Sequence, residues 1–404
     1  MNRGRIDVVH AVTASLSLVL FRGQLTYLRT AGFHPAALCS PGPEVADASS
    51  AEQIPILTVP MEREISPLRD FISLVRLWRL LREVRPAICN AGTPKAGLLV
   101  GLAARLNRVP CRVYTLRGLR FETATGLKRI ILRFTERIAC ACAHRVICVS
   151  PSLRQVAIDS GFVSPARAVV LGSGSSNGVD PSRFAPTPER SQQAAALRLK
   201  LGIQPNQSVI GFAGRLTRDK GLPELVEAFQ SLQKQFPDIV LLLVGGFEPG
   251  DPVPPKTRAA IASNANIVRV EFTANIDLYY LAMDVFALPT HREGFPNTVL
   301  EAQAAERPVV TTTATGAIDS IADNVTGLLV PVGDSSALAA ALARLLANPD
   351  LAAGFGREGR RRVLREFTRQ RVWDALAEEY LSMARNAQLS WLTESVETAR
   401  SRTP

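Results

Sequence analysis

Glu293 and Glu301 bracket the segment Gly294-Phe295-Pro296-Asn297-Thr298-Val299-Leu300, which directly follows an apolar run at 284–289. Pro296 suits the first position of a helix, where its missing N–H would have had no partner. A helix starting there directs the N–H groups of Asn297 and Thr298 outward, and with the positive end of the helix dipole they make an anion site. Glu293 in the preceding loop, and Glu301 about a turn and a half into the helix, flank that site with acceptors for hydroxyl groups. An anion with hydroxyls on both sides is the pattern of a nucleotide sugar. A solvated carboxylate pair on an ordinary surface helix has the same spacing, so the surrounding elements must decide between the two.

Those elements are apolar strands alternating with helical patterns along almost the whole chain. The strand candidates are 6–10, 36–39, 54–59, 87–90, 112–115, 146–149 and 168–171, then 209–213, 240–244, 267–270, 285–288, 309–312 and 327–330. Such alternation predicts open parallel sheets covered on both faces. At 404 residues the chain exceeds a single core, so two doubly wound domains are expected. The Gly-, Ser- and Pro-rich stretch 172–205 reads as a hinge, and ligands of such sheets bind beyond the carboxyl ends of the strands, which puts the expected site in a cleft between the domains.

The composition is that of an ordinary soluble protein, 47% apolar and 21% charged. No apolar run is long enough to span a bilayer, and the amino terminus lacks a cleavable signal pattern, so a cytoplasmic location is expected. The six cysteines (39, 89, 111, 140, 142, 148) have no metal-binding spacing and only four histidines accompany them. Buried thiols are expected, with no metal and no disulfide framework.

The charge is unevenly placed. Residues 61–145 hold 17 Lys+Arg against 6 Asp+Glu, while the rest of the chain holds 30 of each, so the whole net charge of +11 lies in one segment. A local basic surface beside apolar helices suits an anionic membrane. Two helices are able to carry it: 67–84, with Leu68, Phe71, Leu74, Val75, Trp78 and Leu81, and 127–143, with Lys128, Arg129, Arg133 and Arg137. Each pattern fits either an interfacial face or a core-facing stripe with a basic back. Nucleic acid is disfavoured, because aromatics are only 6% and are not interleaved with basic residues.

Three separated motifs stand in order: Gly214-Arg215-Leu216 with Lys220-Gly221, the Glu293/Glu301 pair, and the segment Asn324 to Pro331. Together with Asn177-Gly178-Val179-Asp180 they resemble retaining glycosyltransferases of family 4, over nearly the whole chain. The segments 114–121 and 93–97 resemble the branch that builds capsular, lipopolysaccharide or lipid-linked oligosaccharides in bacteria. The resemblance implies an α/β GT-B fold, two doubly wound Rossmann-like domains facing an interdomain cleft. It implies an acceptor-binding domain at 1–180 and a nucleotide-sugar-binding domain at 181–367. A helix at 368–391 would cross back to the first domain, and 392–404 would form a flexible tail.

The resemblance also implies roles. Arg215 and Lys220 would neutralise the donor diphosphate, with Gly214 in the same loop, so no metal or other cofactor is required. Glu293 would contact the transferred sugar, Glu301 the ribose, and the backbone near Phe295, Pro296, Asn297 and Thr298 the distal phosphate. Phe272 and Thr273 would line the base. Gly23, in the loop after the first strand, stands where relatives often bring a Gly-rich turn to the donor phosphates, although a simple loop also explains it. Lys95 at a helix start would bind acceptor pyrophosphate, or else be a solvated lysine. Several relatives carry histidine where this chain has Arg117, a cation suited to an acceptor or donor phosphate. Glu306 stands where a helix-ending glycine is usual.

The reading is a glycosyltransferase that moves a sugar, with retention, from a nucleotide sugar to a lipid-linked glycan at the inner membrane surface. A covalent role for Glu293 is a variant of it. A catalytically silent scaffold and a sugar-nucleotide epimerase are the alternatives; retention of Arg215, Lys220, Glu293 and Glu301 speaks against the first, and the scarcity of acid/base residues against the second. An oxidoreductase is weaker, since no Gly-x-Gly-x-x-Gly opens the first helix.

Overall fold

The computed structural model describes residues 6–401 apart from 63, 65 and 274. The chain divides into two compact units. One runs to Asn177 and resumes at Arg369, and the other is Gly178–Thr368.

The first unit is built on seven strands, β1 Val8–Ala11, β2 Pro35–Cys39, β3 Ile56–Thr58, β4 Ile88–Ala91, β5 Cys111–Leu116, β6 Arg145–Cys148 and β7 Ala168–Val169. Their order is β3-β2-β1-β4-β5-β6-β7, and every neighbouring pair is parallel. The second unit carries β8 Val209–Ala213, β9 Val240–Val244, β10 Ile267–Val270, β11 Val285–Leu288, β12 Val309–Thr312 and β13 Gly327–Val330, again all parallel, in the order β10-β9-β8-β11-β12-β13. Each strand expected from the sequence overlaps an observed one. Helices cover both faces, so a strand such as β8 or β9 is buried at all five positions and reads as an unbroken apolar run. All six cysteines are buried free thiols.

In each sheet the strand order reverses once, between β1 and β4 and between β8 and β11. In each unit the loops that leave the carboxyl ends of that pair stand where ligands of doubly wound sheets bind. In the first unit the loops after β1 and β4 are tied by the Thr13 and Thr93 hydroxyls, 2.8 Å apart.

The helix Arg369–Asn386 completes the first unit. It buries Leu376, Ala377, Tyr380, Leu381 and Ala384 in the core that holds Val8, Leu28, Ile88 and Val113. The Tyr380 hydroxyl is hydrogen bonded to Asn90 Nδ2 and His10 Nε2, both at 2.7 Å. One expectation is corrected here. Residues 392–401 are no flexible tail: they belong to the helix Ser390–Ser401, whose Leu392 and Val396, four residues apart on one face, are fully buried in the same core. Residues 402–404 of the expected tail lie outside the described residues.

The two basic helices resolve into mixed faces. Helix Pro67–Val84 buries Ser73, Leu77 and Leu81, while Leu68, Phe71 and Ile72 in its first turns are exposed. Helix Gly126–Cys142 buries Glu136, Ala139, Cys140 and Cys142, while Leu127, Ile130 and Phe134 are exposed. The apolar side expected on helix 67–84 as one stripe is thus split between core and solvent.

Candidate functional site

The reversal between β8 and β11 sets two loops side by side in the second unit. The loop after β8 begins with Gly214, whose φ of 144° is open only to glycine. It ends at Gly221, with φ 73°, where an added Cβ would lie 1.8 Å from the Pro289 carbonyl oxygen at the exit of β11. This backbone contact forces the loops together. Asp219 then clamps them: its carbonyl accepts from the His291 N–H at 2.8 Å and the Thr290 hydroxyl at 3.0 Å, and its carboxylate from Arg292 Nη2 at 2.7 Å.

Between the clamped loops Lys220 Nζ donates to Glu293 Oε1. Both side chains are largely enclosed, 19% and 12% exposed. Glu293 is held in turn by its own N–H on the Thr315 carbonyl at 2.9 Å. Arg215 differs from Lys220: it pairs with Glu248 and its side chain stays 60% exposed. The site thus offers an enclosed ammonium and carboxylate with a second, more exposed guanidinium in the same loop.

The helix after Glu293 is Asn297–Ala304, with Pro296 at the capping position before it, one place earlier than expected. Its first internal bond runs from the Val299 N–H to the Pro296 carbonyl at 3.1 Å, leaving the amides of Asn297 and Thr298 ahead of the ladder. Phe295 packs on Phe367, ring centroids 5.3 Å apart, and fixes the entry of the chain into the helix. Glu301 accepts a hydrogen bond from the Tyr280 hydroxyl at 2.7 Å. The helix ends at Glu306 in the left-handed conformation, φ 58°, as its place in the sequence required.

Some expected residues lie apart from this pair. Phe272 is 88% exposed beyond β10, the edge strand, and Thr273 beside it accepts from the Asn275 N–H at 3.2 Å. In the first unit Gly23 caps the helix Gln24–Thr30 with φ 79°; its N–H is bonded to Glu52 Oε1, and an added Cβ would stand 2.7 Å from the Trp373 ring. Packing and helix capping account for that glycine in place of an approach to donor phosphates. Lys95 is not a solvated lysine: it forms an ion pair with Asp70 at 2.8 Å and donates to the Glu64 carbonyl. Arg117 donates to the Gly92 carbonyl at 2.9 Å.

Sequence reasoning missed Tyr280, the Asp219 clamp and His291. His291 Nε2 lies 2.9 Å from Glu224 Oε1, and this hydrogen bond raises its pKa above 6.5. No periodicity marks these residues, since each acts through a partner distant in the chain. The tyrosine pair 279–280, in a helix facing the Glu301 helix, was the one available signal.

A parallel sheet whose reversal point holds an enclosed Lys–Glu pair beside a helix start has groups suited to a phosphorylated sugar. Comparison with known proteins agrees. Residues 19–174 match the model described as "Glycosyl transferase 4-like domain" and residues 194–362 that of "Glycosyl transferases group 1". The chain is 35% identical to the "Capsular polysaccharide biosynthesis glycosyltransferase CapM" of Staphylococcus aureus, over 94% of this chain and 98% of that protein. It is 27% identical to the "UDP-Gal:alpha-D-GlcNAc-diphosphoundecaprenol alpha-1,3-galactosyltransferase" of Escherichia coli, over 80% and 82% of the two chains. The crystal structure of Anabaena Alr3699/HepE in complex with UDP and glucose has the same fold, with a TM-score of 0.77 over 93% of this chain and 99% of that one at 18% identity. The chain belongs to the family-4-like glycosyltransferases with the GT-B fold, and it is a glycosyltransferase.

Proposed function

We propose that the enzyme transfers a sugar, with retention of configuration, from a UDP-sugar to a hydroxyl of a polyprenyl-diphosphate-linked glycan in the synthesis of a bacterial surface polysaccharide. The observation that carries the donor half is the enclosed Lys220–Glu293 pair beside the start of the helix Asn297–Ala304. Cleavage of the anomeric C–O bond leaves negative charge on the nucleoside diphosphate. Lys220, with Arg215 in the same loop, neutralises it in place, where a fixed charge acts without solvent reorganisation. The amides near Phe295, Pro296, Asn297 and Thr298 receive the distal phosphate, with Gly214 giving the backbone room beside it. Glu293 accepts from the sugar hydroxyls, Glu301 from the ribose, and Phe272 with Thr273 borders the base.

In this reading the acceptor hydroxyl attacks the face that the diphosphate leaves. The new C–O bond forms as the old one breaks, and the departing phosphate oxygen takes the hydroxyl proton. Glu293, tied to Lys220, then positions the sugar and forms no covalent bond to it. Lys220 and Arg215 supply the charge that a divalent metal would otherwise bring, so turnover should survive a chelator.

The acceptor half rests on two supports. The Escherichia coli relative is named for a diphosphoundecaprenol acceptor. The first unit also exposes Leu68, Phe71 and Ile72 on one helix, and Leu127, Ile130 and Phe134 beside Lys128 and Arg129 on another. Helices that follow parallel strands start at the carboxyl edge of the sheet. These apolar and basic residues lie in the amino-terminal halves of their helices, the halves nearer that edge, and their chemistry suits an anionic bilayer. Among the described residues no helix is long and apolar enough to cross a membrane, so the attachment would be peripheral.

The test is transfer from a panel of UDP- and GDP-sugars to polyprenyl-diphosphate sugar in vesicles. Turnover of one donor that requires the vesicles is expected. Saturable nucleotide binding without turnover on any acceptor would instead indicate a silent scaffold.

A further inference from the structure

Resting on that acceptor reading, we propose that Arg117 is a phosphate anchor in the first unit, holding the diphosphate that joins lipid to glycan. Arg117 follows β5, and its guanidinium reaches across the end of β4 toward the loop after β1. Nη1 donates to the Gly92 carbonyl at 2.9 Å, and the Phe21 ring lies 5.5 Å from the guanidinium carbon. The exit of β4 is shaped for it: a Cβ on Gly92 would lie 2.1 Å from Nη1. These contacts fix the guanidinium at the reversal point of the sheet, where ligands of doubly wound folds bind.

What the guanidinium lacks is an anion. Nε is enclosed without a hydrogen-bond partner, and among the described residues no carboxylate forms an ion pair with Arg117. The other candidate cation at this edge, Lys95, is already neutralised by Asp70. His10 brings no charge either: burial first, and then Arg117 itself, lower its pKa to about 3. Burial likewise lowers the pKa of Arg117, to about 10, the mark of a cation that pays for its position without a counter-charge. The residue remains partly open to solvent, which gives a ligand access.

The chemistry that completes such a group is a phosphate, whose oxygens match the planar fork of guanidinium donors. The helix Pro94–Leu106 begins two residues beyond Gly92, so its first amides face the same edge and favour the same charge. A donor phosphate and an acceptor phosphate share this chemistry, and the acceptor is favoured because every group named lies in the unit that exposes the apolar and basic helices.

The experiment compares the wild type with Arg117→Gln and Arg117→Lys in two assays. The first is calorimetric titration with inorganic pyrophosphate. The second is transfer to one sugar presented either on polyprenyl diphosphate or as a neutral alkyl glycoside. Pyrophosphate affinity and kcat/KM for the diphosphate acceptor should both fall about ten- to a hundredfold in Arg117→Gln, the loss of a charge-assisted contact, with partial recovery in Arg117→Lys. The preference for the diphosphate acceptor over the glycoside should collapse. Equal losses on the two acceptors would mean a merely structural role, and a rise in donor KM alone would assign the phosphate to the donor; either overturns the proposal. A wild type that uses the two acceptors equally would sink the acceptor reading. Pyrophosphate binding that depends on Arg117 would even then uphold the phosphate site, and its absence would remove both.

Discussion

The Tyr280 hydroxyl donates to Glu301 at 2.7 Å, joining a fully buried phenol to the carboxylate that the family resemblance assigns to the ribose. Tyr280 is itself wedged between the rings of Phe184 and Phe286, with centroids 5.7 and 5.6 Å away. It acts as a positioning residue, holding one carboxylate oxygen of Glu301 in place. Tyr280→Phe keeps the packing and deletes the bond. UDP affinity should fall roughly three- to tenfold, the net worth of one ordinary hydrogen bond, since the effect reaches the nucleotide only through Glu301. Calorimetry that showed unchanged UDP affinity would separate Glu301 from the nucleotide.

Glu136 is buried under the first sheet with its Oε1 2.6 Å from the Tyr114 hydroxyl. Burial raises its pKa from 4.5 to about 7, against the smaller lowering effect of that hydrogen bond. The folded state therefore binds the proton more tightly than the unfolded one. Its contribution to stability is greatest below 4.5 and is lost as pH rises through about 7. Glu136→Gln keeps an acceptor for Tyr114 and cannot ionise. It should match the wild type in acid and exceed its stability at pH 8 by roughly 1–3 kcal/mol, in denaturant titrations at the two pH values. A constant difference across that range would refute the assignment.

Glu306 occupies a left-handed position at a helix end, φ 58°, with only a 3.8 Å approach to Arg360. A side chain there costs about 1 kcal/mol relative to glycine. Glu306→Gly should raise stability by about that amount and leave turnover unchanged, because the position faces away from Lys220 and Glu293 at the far end of the helix. A fall in the melting temperature would show that the Arg360 contact outweighs the strain.

Phe71 and Phe134 are 67% and 64% exposed on the two basic helices. If they enter a bilayer, Phe71→Glu and Phe134→Glu should each weaken co-sedimentation with anionic vesicles by about tenfold or more, through lost apolar burial and added repulsion. Binding that is insensitive to both substitutions would place the membrane contact elsewhere or nowhere.

The sheets were legible in the sequence because strands buried on both faces are continuous apolar runs. All six strands of the second unit, β8 to β13, have the bounds expected from the sequence. Lys220 and Glu293 were legible singly, each placed at the end of a strand, but their pairing is not, since it depends on β8 and β11 being neighbours in the sheet order. Contacts between distant side chains were hidden for the same reason. Asp70 takes up the Lys95 charge from another helix, Trp373 explains Gly23 from the far end of the chain, and Leu392 and Val396 form too short a stripe to outweigh their polar neighbours.

The central claim is that the Lys220–Glu293 pair serves donor cleavage. Its most direct test is single-turnover transfer from the preferred UDP-sugar by the wild type, Lys220→Ala and Glu293→Gln, with UDP binding measured alongside. Loss of a preorganised charge should lower the transfer rate about a hundredfold or more in Lys220→Ala, and Glu293→Gln should lower it comparably while UDP still binds. Transfer rates within a few-fold of the wild type in both variants would contradict the account.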